Sequence, residues 1–533
     1  MRGIEDRMSS GTSACKADAL SLWLRDYAST RLNSVLMDER RCVPPHVVLD
    51  FGNQGLFGMA TSESLGGLGL DLSHQMQVQA QLSAIDLTLG TWVGIHNALG
   101  VRPIERYAPE ALKSELVPLL AAGRVLGSLA MTERAAGSNV RGIETTATRD
   151  GAGWRVRGSK IWIGNGAWAG VMNVFARRPR EEGGGVNAMC LRAGTPGLVI
   201  GPEALTMGMR AIVQNEVFLE DAFVPAEQLL GNAGDGLAVA DDAFSVARLG
   251  IGASSLGGLR RCAQLAMRYA SRRQIATGLS LENTTTREVM SWLVCAIAGL
   301  EEMLALTIAE AERTGVPPPF QSAVCKVLGS ELLSRGADLV LQLLGGRGYI
   351  EPNVLPQIVR DSRVFRIFEG PSETIESHLG SAVLLGMLPV NALLGPGVLA
   401  PEAAKVTEAA LEQCHSGWPE PGPETKQHLR SVVGRIALWS ALAGAAEHAD
   451  DRRSTPTSKS ARHWARKQLE DHIHEGLGRM REPTMLAPSL LEETIASYAL
   501  TIGDVDQEAA AADYVIDPML AREALRAVPT RSQ

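Results

Sequence analysis

The chain of 533 residues is too long for one hydrophobic core, and at about 150 residues per domain it predicts three or four units. Its hydrophobic fraction of 45% and charged fraction of 21% are ordinary for folded proteins and exclude disorder as a class. Because the formal net charge is −8 and no basic cluster stands out, these properties exclude a nucleic-acid-binding protein and nucleic-acid partners.

The cysteines and the N-terminus together predict a cytoplasmic protein. Seven cysteines are scattered along the chain without a CxxC pair, which favours reduced thiols and no metal site. The first twenty residues, "MRGIEDRMSSGTSACKADAL", lack an apolar core segment and do not read as a secretory signal. The uncharged run 379–400 is long enough to span a bilayer, but its prolines and glycines argue against a spanning helix.

The first half of the chain predicts a helical domain followed by a β domain. Residues 17–126 have a helical pattern, with loops expected at 55–70 and around Pro103 and Pro109. The pattern then changes to short β-branched runs such as "GWRVRG", "VMNVFARR" and "NEVFLEDAFV". The predicted boundaries are 1–126 for the N-terminal helical domain and 127–235 for the middle β domain.

Helices return in the second half. One apolar stripe, with a spacing of three or four residues, predicts a core-facing helix that ends at Gly315; it comprises Val289, Leu293, Ile297, Leu300, Leu304 and Ile308. The next helix, 321–344, is expected to stop at Gly345 and Gly346. We predict a helical bundle over 236–390 and, after a Gly/Pro-rich break, an additional helical domain over 395–533.

Familiar nucleotide and hydrolase fingerprints are absent from the sequence. "GIGASSLGG" (250–258) approaches GxGxxG, but Ser255 replaces the third glycine and no strand precedes it. No Walker A, GxSxG or HExxH pattern is present.

Three other stretches carry the functional signal: "LAMTERAAGSNV" (129–140), "GSKIWIGNG" (158–166) and the segment 341–378, in which Glu369 lies between Phe368 and Gly370. In this order and spacing they resemble the acyl-CoA dehydrogenase family over about 45–390. The pattern around Glu369 is similar to the very-long-chain branch, which carries an extra C-terminal helical domain. The resemblance implies a mainly α fold with a central β domain, a C-terminal four-helix bundle and bound FAD.

The resemblance makes Glu369, in "FEGPSETIE", the catalytic base. It would take the α-proton of an acyl thioester while hydride leaves the β-carbon for flavin N5. A glutamate with its usual pKa near 4.3 is too weak a base for this, so we expect a water-excluding pocket and hydrogen bonds to the thioester oxygen. Some relatives place the base just before an arginine, but here Ala247 precedes Arg248. Ser138, Arg248 and Gly370 join Glu369 as implied substrate contacts.

The resemblance also implies a set of FAD contacts. On the flavin side they are Met131, Thr132, Gly137, Ser138, Trp162, Ile163 and Gly164, with Trp162 covering one flavin face. Arg272 matches an arginine that reaches the FAD of a neighbouring subunit, and Gln342, Gly345 and Gly346 match the complementary adenine and pyrophosphate contacts. These matches imply a homodimer, with the C-terminal extension occupying the place of a second dimer.

Several positions depart from the family pattern. Arg134, Ala135 and Asn139 replace the usual Pro, Gly and Asp, and Ile275-Ala276 replaces Phe-Gly. Gly164 stands where a Ser or Thr hydroxyl normally faces flavin N5.

The departure at Gly164 leaves several functions open. The leading hypothesis is an α,β-dehydrogenase of an acyl thioester, on CoA or a carrier protein, that passes electrons to an electron-transferring flavoprotein. A flavin oxidase or monooxygenase that uses O2 in natural-product biosynthesis, of the epoxyketone type, is the alternative. A non-catalytic scaffold is the third, against which the presence of both Glu369 and Trp162 argues.

Overall fold

The computed structural model describes residues 11–394, 400–418, 421–482 and 485–502. One compact unit extends to Leu477, and the residues from Gly478 onward form a second unit. All seven cysteines are free thiols, as predicted.

Within the described residues, seven α-helices precede the first strand. In chain order they are α1 (Ser13–Thr30), α2 (Ser34–Arg40), α3 (Pro45–Asn53), α4 (Leu72–Ile85), α5 (Leu87–Gly94), α6 (Arg102–Tyr107) and α7 (Glu110–Ala121). Two of them begin at aspartates that cap the helix: Asp71 accepts from His74 N–H, and Asp86 accepts from Leu89 N–H.

A π-helical segment, Ile95–Val101, joins α5 to α6. We expected a loop around Pro103, and this expectation was wrong. Pro103 lies in the first turn of α6 directly after the π-helical segment, and the Leu99 carbonyl, to which an N–H at position 103 would donate, accepts instead from Asn173 Nδ2. The helical chain therefore continues through this point.

The middle of the chain forms the predicted β domain. Its strands are β1 (Leu126–Ala130), β2 (Thr146–Asp150), β3 (Gly153–Gly164), β4 (Ala169–Arg177), β5 (Val186–Arg192), β6 (Leu198–Glu203), β7 (Gln214–Pro225) and β8 (Leu229–Leu230). They make one sheet of order β6-β7-β3-β2-β4-β5-β8, and β1 pairs with β4 in parallel. Side chains such as Val156, Val174 and Val217 fill the core of the sheet.

Six described α-helices, three of them long, come between the sheet and the C-terminal extension. They are α8 (Gly236–Ala270), α9 (Thr284–Thr314), α10 (Pro319–Leu344), α11 (Gly346–Tyr349), α12 (Val354–Arg363) and α13 (Ser372–Leu384), with a two-stranded hairpin of β9 (Gln274–Ile275) and β10 (Gly278–Leu279) after α8. The predicted stop of α9 at Gly315 is confirmed, and Asn283 caps its start. One described helix, α9, has the length and apolar composition of a membrane span, and it packs among α8, α10 and the helices of the C-terminal extension.

The stretch "GIGASSLGG" lies inside α8, as its helical context predicted. Its glycines allow neighbouring helices to approach closely. A Cβ at Gly257 would lie 2.2 Å from the carbonyl oxygen of Ala80 in α4. These residues therefore serve packing between α8 and the N-terminal helices.

The C-terminal extension contains α14 (Pro401–Gly417), α15 (Pro423–Arg453), α16 (Pro456–Arg481), α17 (Pro488–Ser497) and α18 (Ala499–Ile502). Helix α15 crosses α13 so closely that a Cβ at Gly380 would lie 1.8 Å from Arg430 O, and one at Gly434 would lie 1.8 Å from Glu376 O. The Arg435 guanidinium also pairs with the Glu376 carboxylate at 3.0 Å. The first part of the extension is therefore continuous with the bundle.

Candidate active site

The loop that carries Glu369 follows α12 and has an unusual backbone. Glu369 has a φ of +55° and Gly370 a φ of +101°, and the left-handed region is unfavourable for a glutamate. Two cations hold the loop from outside. Arg248 Nε donates to Glu369 O at 3.1 Å, and Lys326 Nζ donates to Gly370 O at 2.6 Å. The surrounding helices thus fix the strained turn.

The Glu369 side chain faces a cavity and is poorly satisfied. Its Oε2 atom is shielded from solvent and has no hydrogen-bond partner. Burial raises the pKa of Glu369 to about 7, against the opposing effect of the Arg248 and Lys326 charges. Among the described residues, the Glu369 backbone N–H also has no acceptor. The site therefore combines a carboxylate whose pKa lies near neutral pH with a backbone N–H that is free to donate a hydrogen bond.

Lys326 is a residue that the sequence analysis missed. It is fully buried on α10, and burial lowers its pKa to about 8. Its only sequence signal is a lone lysine in the apolar run "AVCKVLG", in a chain with only eight lysines. The structure shows why this lysine matters, because its ammonium group contacts the loop that carries Glu369.

The cavity at Glu369 has a volume of about 310 Å³. Helices α4, α5, α6 and α8 and the π-helical segment form its walls, and Phe365 and Phe368 line it beside the base. These two rings stack with centroids 5.6 Å apart. Arg248 and Lys326 act from behind the loop, and neither is part of the lining.

A buried ion pair joins β3 to the segment after β1. Lys160 Nζ donates to Glu133 Oε1 at 2.7 Å and to Met131 O at 3.1 Å. Ile161 N–H donates to Thr132 O at 2.9 Å. The structure therefore brings together Met131 and Thr132 with the strand that carries Trp162, Ile163 and Gly164.

Trp162 projects out of the sheet. It has a φ of +55° at an irregularity in the pairing of β3 with β7, and the side chain is 59% exposed. A bulge of this kind re-aims a side chain, and strain at such a position is typical of a functional site. By contrast, Ile163 points into the core.

Neighbouring side chains occupy most of the space around Gly164. Ser128 Oγ donates to Gly164 O at 2.7 Å. A Cβ on Gly164 would lie 3.2 Å from Ile95 Cδ1 and 3.5 Å from Gln214 Nε2. Gln214 is paired with Gly164 across the sheet, and its amide has no hydrogen-bond partner among the described residues. An isoleucine and a free amide thus occupy the surroundings of the missing hydroxyl.

The remaining predicted contacts lie on the surface. Gly137 and Ser138 are exposed in the loop after β1, and Arg272, Gln342, Gly345 and Gly346 are exposed at the ends of α8 and α10. A Cβ on Gly137, Gly345 or Gly346 would meet no atom within 4 Å. No hydrogen bond in the described chain joins Arg272 or Gln342 to the strand residues.

Three family models match the chain in sequence order. They describe the acyl-CoA dehydrogenase N-terminal domain over residues 17–124, the middle domain over 128–222 and the C-terminal domain over 234–384. The matched ranges follow the helical, β and helical parts of the fold.

Curated relatives agree with these models. An acyl-CoA dehydrogenase of Bacillus subtilis is 28% identical over 367 residues, which are 68% of this chain and 96% of the relative. The mitochondrial very long-chain specific acyl-CoA dehydrogenase of Macaca fascicularis is 29% identical over 333 residues, or 60% of this chain. That alignment spans 50% of the length of the relative.

Among solved structures, the acyl-CoA dehydrogenase of Bacillus anthracis complexed with FAD superposes with a TM-score of 0.76 at 21% identity. The superposition covers 92% of both chains, so that protein shares the fold well beyond the three matched domains.

Proposed function

The chain belongs to the acyl-CoA dehydrogenase family, and on that premise we propose that it oxidises the Cα–Cβ bond of an acyl thioester, with Glu369 as the base. Members of the family are flavin oxidoreductases that act on CH–CH donors and use FAD. The observation that carries the proposal is the cavity-facing Glu369 carboxylate, with an unpartnered oxygen and a pKa raised to about 7.

The exposed residues suit a bound FAD. The Trp162 indole offers a flat apolar face next to the segment of Met131 and Thr132, and open backbone at Gly137 leaves room for a phosphate-bearing group. We assign the flavin side to these residues with Ser138, Gly164 and the backbone of Ile163, whose side chain lies in the core. When bound, FAD supplies the acceptor for the hydride that leaves Cβ.

Glu369 performs the proton transfer. Its carboxylate takes the proton of the substrate Cα, and the C–H electron pair moves into the enolate as hydride leaves Cβ, which yields the α,β-unsaturated thioester. The free Glu369 N–H is a donor for the thioester oxygen, on which negative charge develops. Exclusion of water from the cavity keeps the carboxylate basic.

Arg248 and Lys326 are positioning residues in this scheme. Each donates to a loop carbonyl and keeps the strained turn closed. Their charges also favour the ionised form of Glu369, which limits the rise in its pKa. We further propose that Arg272, Gln342, Gly345 and Gly346 complete an FAD site across a homodimer, since they lie exposed and apart from the strand residues.

The test is anaerobic mixing of the FAD-loaded protein with a panel of acyl thioesters on CoA and on a carrier protein. Loss of the oxidised flavin absorbance with formation of the unsaturated thioester supports the proposal. No bleaching with any member would overturn it. Subsequent mixing with an electron-transferring flavoprotein or with O2 identifies the electron acceptor.

Gly164 favours a second candidate, an oxidase or monooxygenase in which the reduced enzyme reacts with O2. Gly164→Thr restores a hydroxyl and places a branched side chain against Ile95. We expect reoxidation in air to slow several-fold, while anaerobic bleaching by substrate stays within about tenfold, because Glu369 is untouched and one hydrogen bond contributes only about 0.5 to 1.5 kcal/mol. Gly164→Ala adds bulk without the hydroxyl and serves as the control. Equal reoxidation rates in all three proteins would contradict the role of Gly164.

A further inference from the structure

The cavity has an end that differs in character from the end at Glu369. Helix α8 runs along one wall, with Ala247 next to the arginine that holds the base and Ser254 seven residues further on. At a rise of 1.5 Å per residue, this spacing corresponds to about 10 Å along the helix. The lining includes several polar side chains, which we call the polar end after the bonded pair Gln79 and Ser254: Gln75, Gln79, Thr91, Asn97 and Ser254.

Gln79 and Ser254 form the centre of the polar end, and both are almost fully buried. Gln79 Nε2 donates to Gly90 O at 2.7 Å and to Ser254 Oγ at 2.8 Å. Because a carbonyl oxygen only accepts, the bond to Gly90 fixes the orientation of the amide. The Gln79 Oε1 atom is left without a donor among the described residues. Ser83 Oγ also donates to Ser254 Oγ, so the Ser254 hydroxyl proton remains available.

Two further side-chain amides of the polar end, those of Asn97 and Gln75, are also oriented by hydrogen bonds from their nitrogen to backbone carbonyls. Asn97 Nδ2 donates to Leu56 O and Val93 O, at 2.9 and 3.0 Å. Gln75 Nε2 donates to Leu70 O at 2.6 Å. In each case the nitrogen is bound to the protein backbone and the amide oxygen has no donor in the described chain. The polar end therefore offers several acceptors with fixed orientations.

Thr91 adds an unsatisfied hydroxyl. It lines the cavity, is more than nine-tenths buried, and its Oγ1 has no hydrogen-bond partner. The Oγ1 atom is itself shielded, as is the unpartnered hydroxyl of Ser255, so the amide oxygens rather than Thr91 are the acceptors open to a ligand.

Two arginines of the lining, Arg102 and Arg106, face the carboxylate of Asp242, which lies outside the lining. Arg102 makes a bidentate pair with Asp242, at 2.7 and 2.8 Å, and Arg106 lies 3.5 Å from the same carboxylate. Glu105 accepts from Thr61 Oγ1 at 3.3 Å and from Ser62 N–H at 3.2 Å. Arg102 is thus fully paired, whereas Arg106 makes only this one longer contact within the described chain and stays partly exposed.

We propose that the polar end recognises an acyl group that carries hydrogen-bond donors, amide N–H or hydroxyl, remote from the thioester. This assignment rests on the proposed function, because it takes Glu369 to mark the reacting carbons. An unsubstituted hydrocarbon chain in the same place would bury the amide oxygens without partners. An N–H or O–H in the acyl chain donates to those oxygens instead.

The proposal is tested by binding of unreactive thioethers of pantetheine and of CoA to the FAD-loaded protein. One member of each pair carries an alkyl chain, and the others have the same number of chain atoms with a secondary amide at successive positions. Dissociation constants come from calorimetry or from the change in the flavin spectrum. We expect the best-placed amide to bind at least about tenfold more tightly than the alkyl chain. Alkyl binding as tight as every amide would overturn the proposal.

Variants locate the preference. Ser254→Ala and Gln79→Met should each reduce the ratio of amide to alkyl affinity toward one. Ser255→Ala is the matched control, since Ser255 is the next residue of α8 and is also buried with an unpartnered hydroxyl. It packs against Gly329 of α10, outside the cavity lining. An equal loss in Ser255→Ala would attribute the effect to general repacking and would contradict the proposal.

Glu369→Gln separates this inference from the proposed reaction. The variant should keep the amide preference and lose bleaching by a reactive thioester. If the preference is present but bleaching survives in Glu369→Gln, the assignment of the base is wrong and the polar end stands. If Glu369-dependent bleaching occurs without any amide preference, the polar end is wrong and the reaction stands.

Discussion

Glu369 and Asp361 lie eight residues apart in the chain, and burial raises the pKa of each carboxyl to about 7. Their surroundings differ. Asp361 accepts from Met209 N–H at 2.6 Å and from Thr88 Oγ1 at 3.1 Å, so both oxygens are bonded. Glu369 has an unpartnered oxygen and faces a cavity. A raised pKa therefore marks burial, whereas the free lone pair and the access to a cavity distinguish a candidate base from a structural acid.

The two carboxylates should respond very differently to amide substitution. Glu369→Gln should lower the rate constant of anaerobic flavin reduction at least about a hundredfold, because a nearly isosteric amide cannot accept the proton. Asp361→Asn should stay within a few-fold of the native rate. Stopped-flow absorbance measures both, with Glu373→Gln on the exposed side of α13 as a control. Equal losses in the Glu369 and Asp361 variants would remove the distinction.

Lys326 distinguishes the two carboxyl groups further, because its charge lowers the pKa of Glu369 and is not among the main groups that shift the pKa of Asp361. Flavin reduction should rise with pH up to about 7, as Glu369 loses its proton, and then level off. Lys326→Met removes a charge that lowers the pKa of Glu369, so the rise should move to higher pH. If the pKa increases to about 8, the rate at pH 7 falls about fivefold and recovers at alkaline pH.

The pH profile of reduction separates this effect from simple loosening of the loop. Loosening would lower the rate equally at every pH, and the midpoint of the profile would not move. Lys113→Met, which removes a lysine of the α7 surface, should leave the profile unchanged. An unshifted midpoint in Lys326→Met would contradict the electrostatic role.

The smallest effect is expected in stability. The native state holds the Asp361 proton more tightly than the unfolded chain, because its pKa is raised from 3.8 to about 7. The stabilising contribution of Asp361 is present below pH 4 and is lost as pH rises through 7. Asp361→Asn should remove this part of the decline, so the difference in melting temperature between variant and native protein should favour the variant more at pH 8 than at pH 5.5. A constant difference would refute the assignment.

Sequence patterns predicted the fold well where the structure of an element depends mainly on its own residues. The apolar stripe of α9 and the glycine after it set both the face and the end of that helix. Through the family motif around it, Glu369 was predicted as the base, a role that stays a proposal. Lys326, Gln214 and the polar end were not, since their meaning depends on partners from distant segments: Lys326 meets a loop 44 residues away, and Gln79 meets Ser254 across 175 residues.

The continuity of helix α13 has a consequence for protein engineering. The helix begins two residues after Gly370, and further along it Gly380 fits against the backbone of α15 while Glu376 pairs with Arg435. The extension therefore braces the element that immediately follows the base. A chain shortened to the three matched domains would lose these contacts and expose the surface of α13 against which α15 packs. The boundary suggested by shorter relatives is therefore an unsuitable place to truncate this protein.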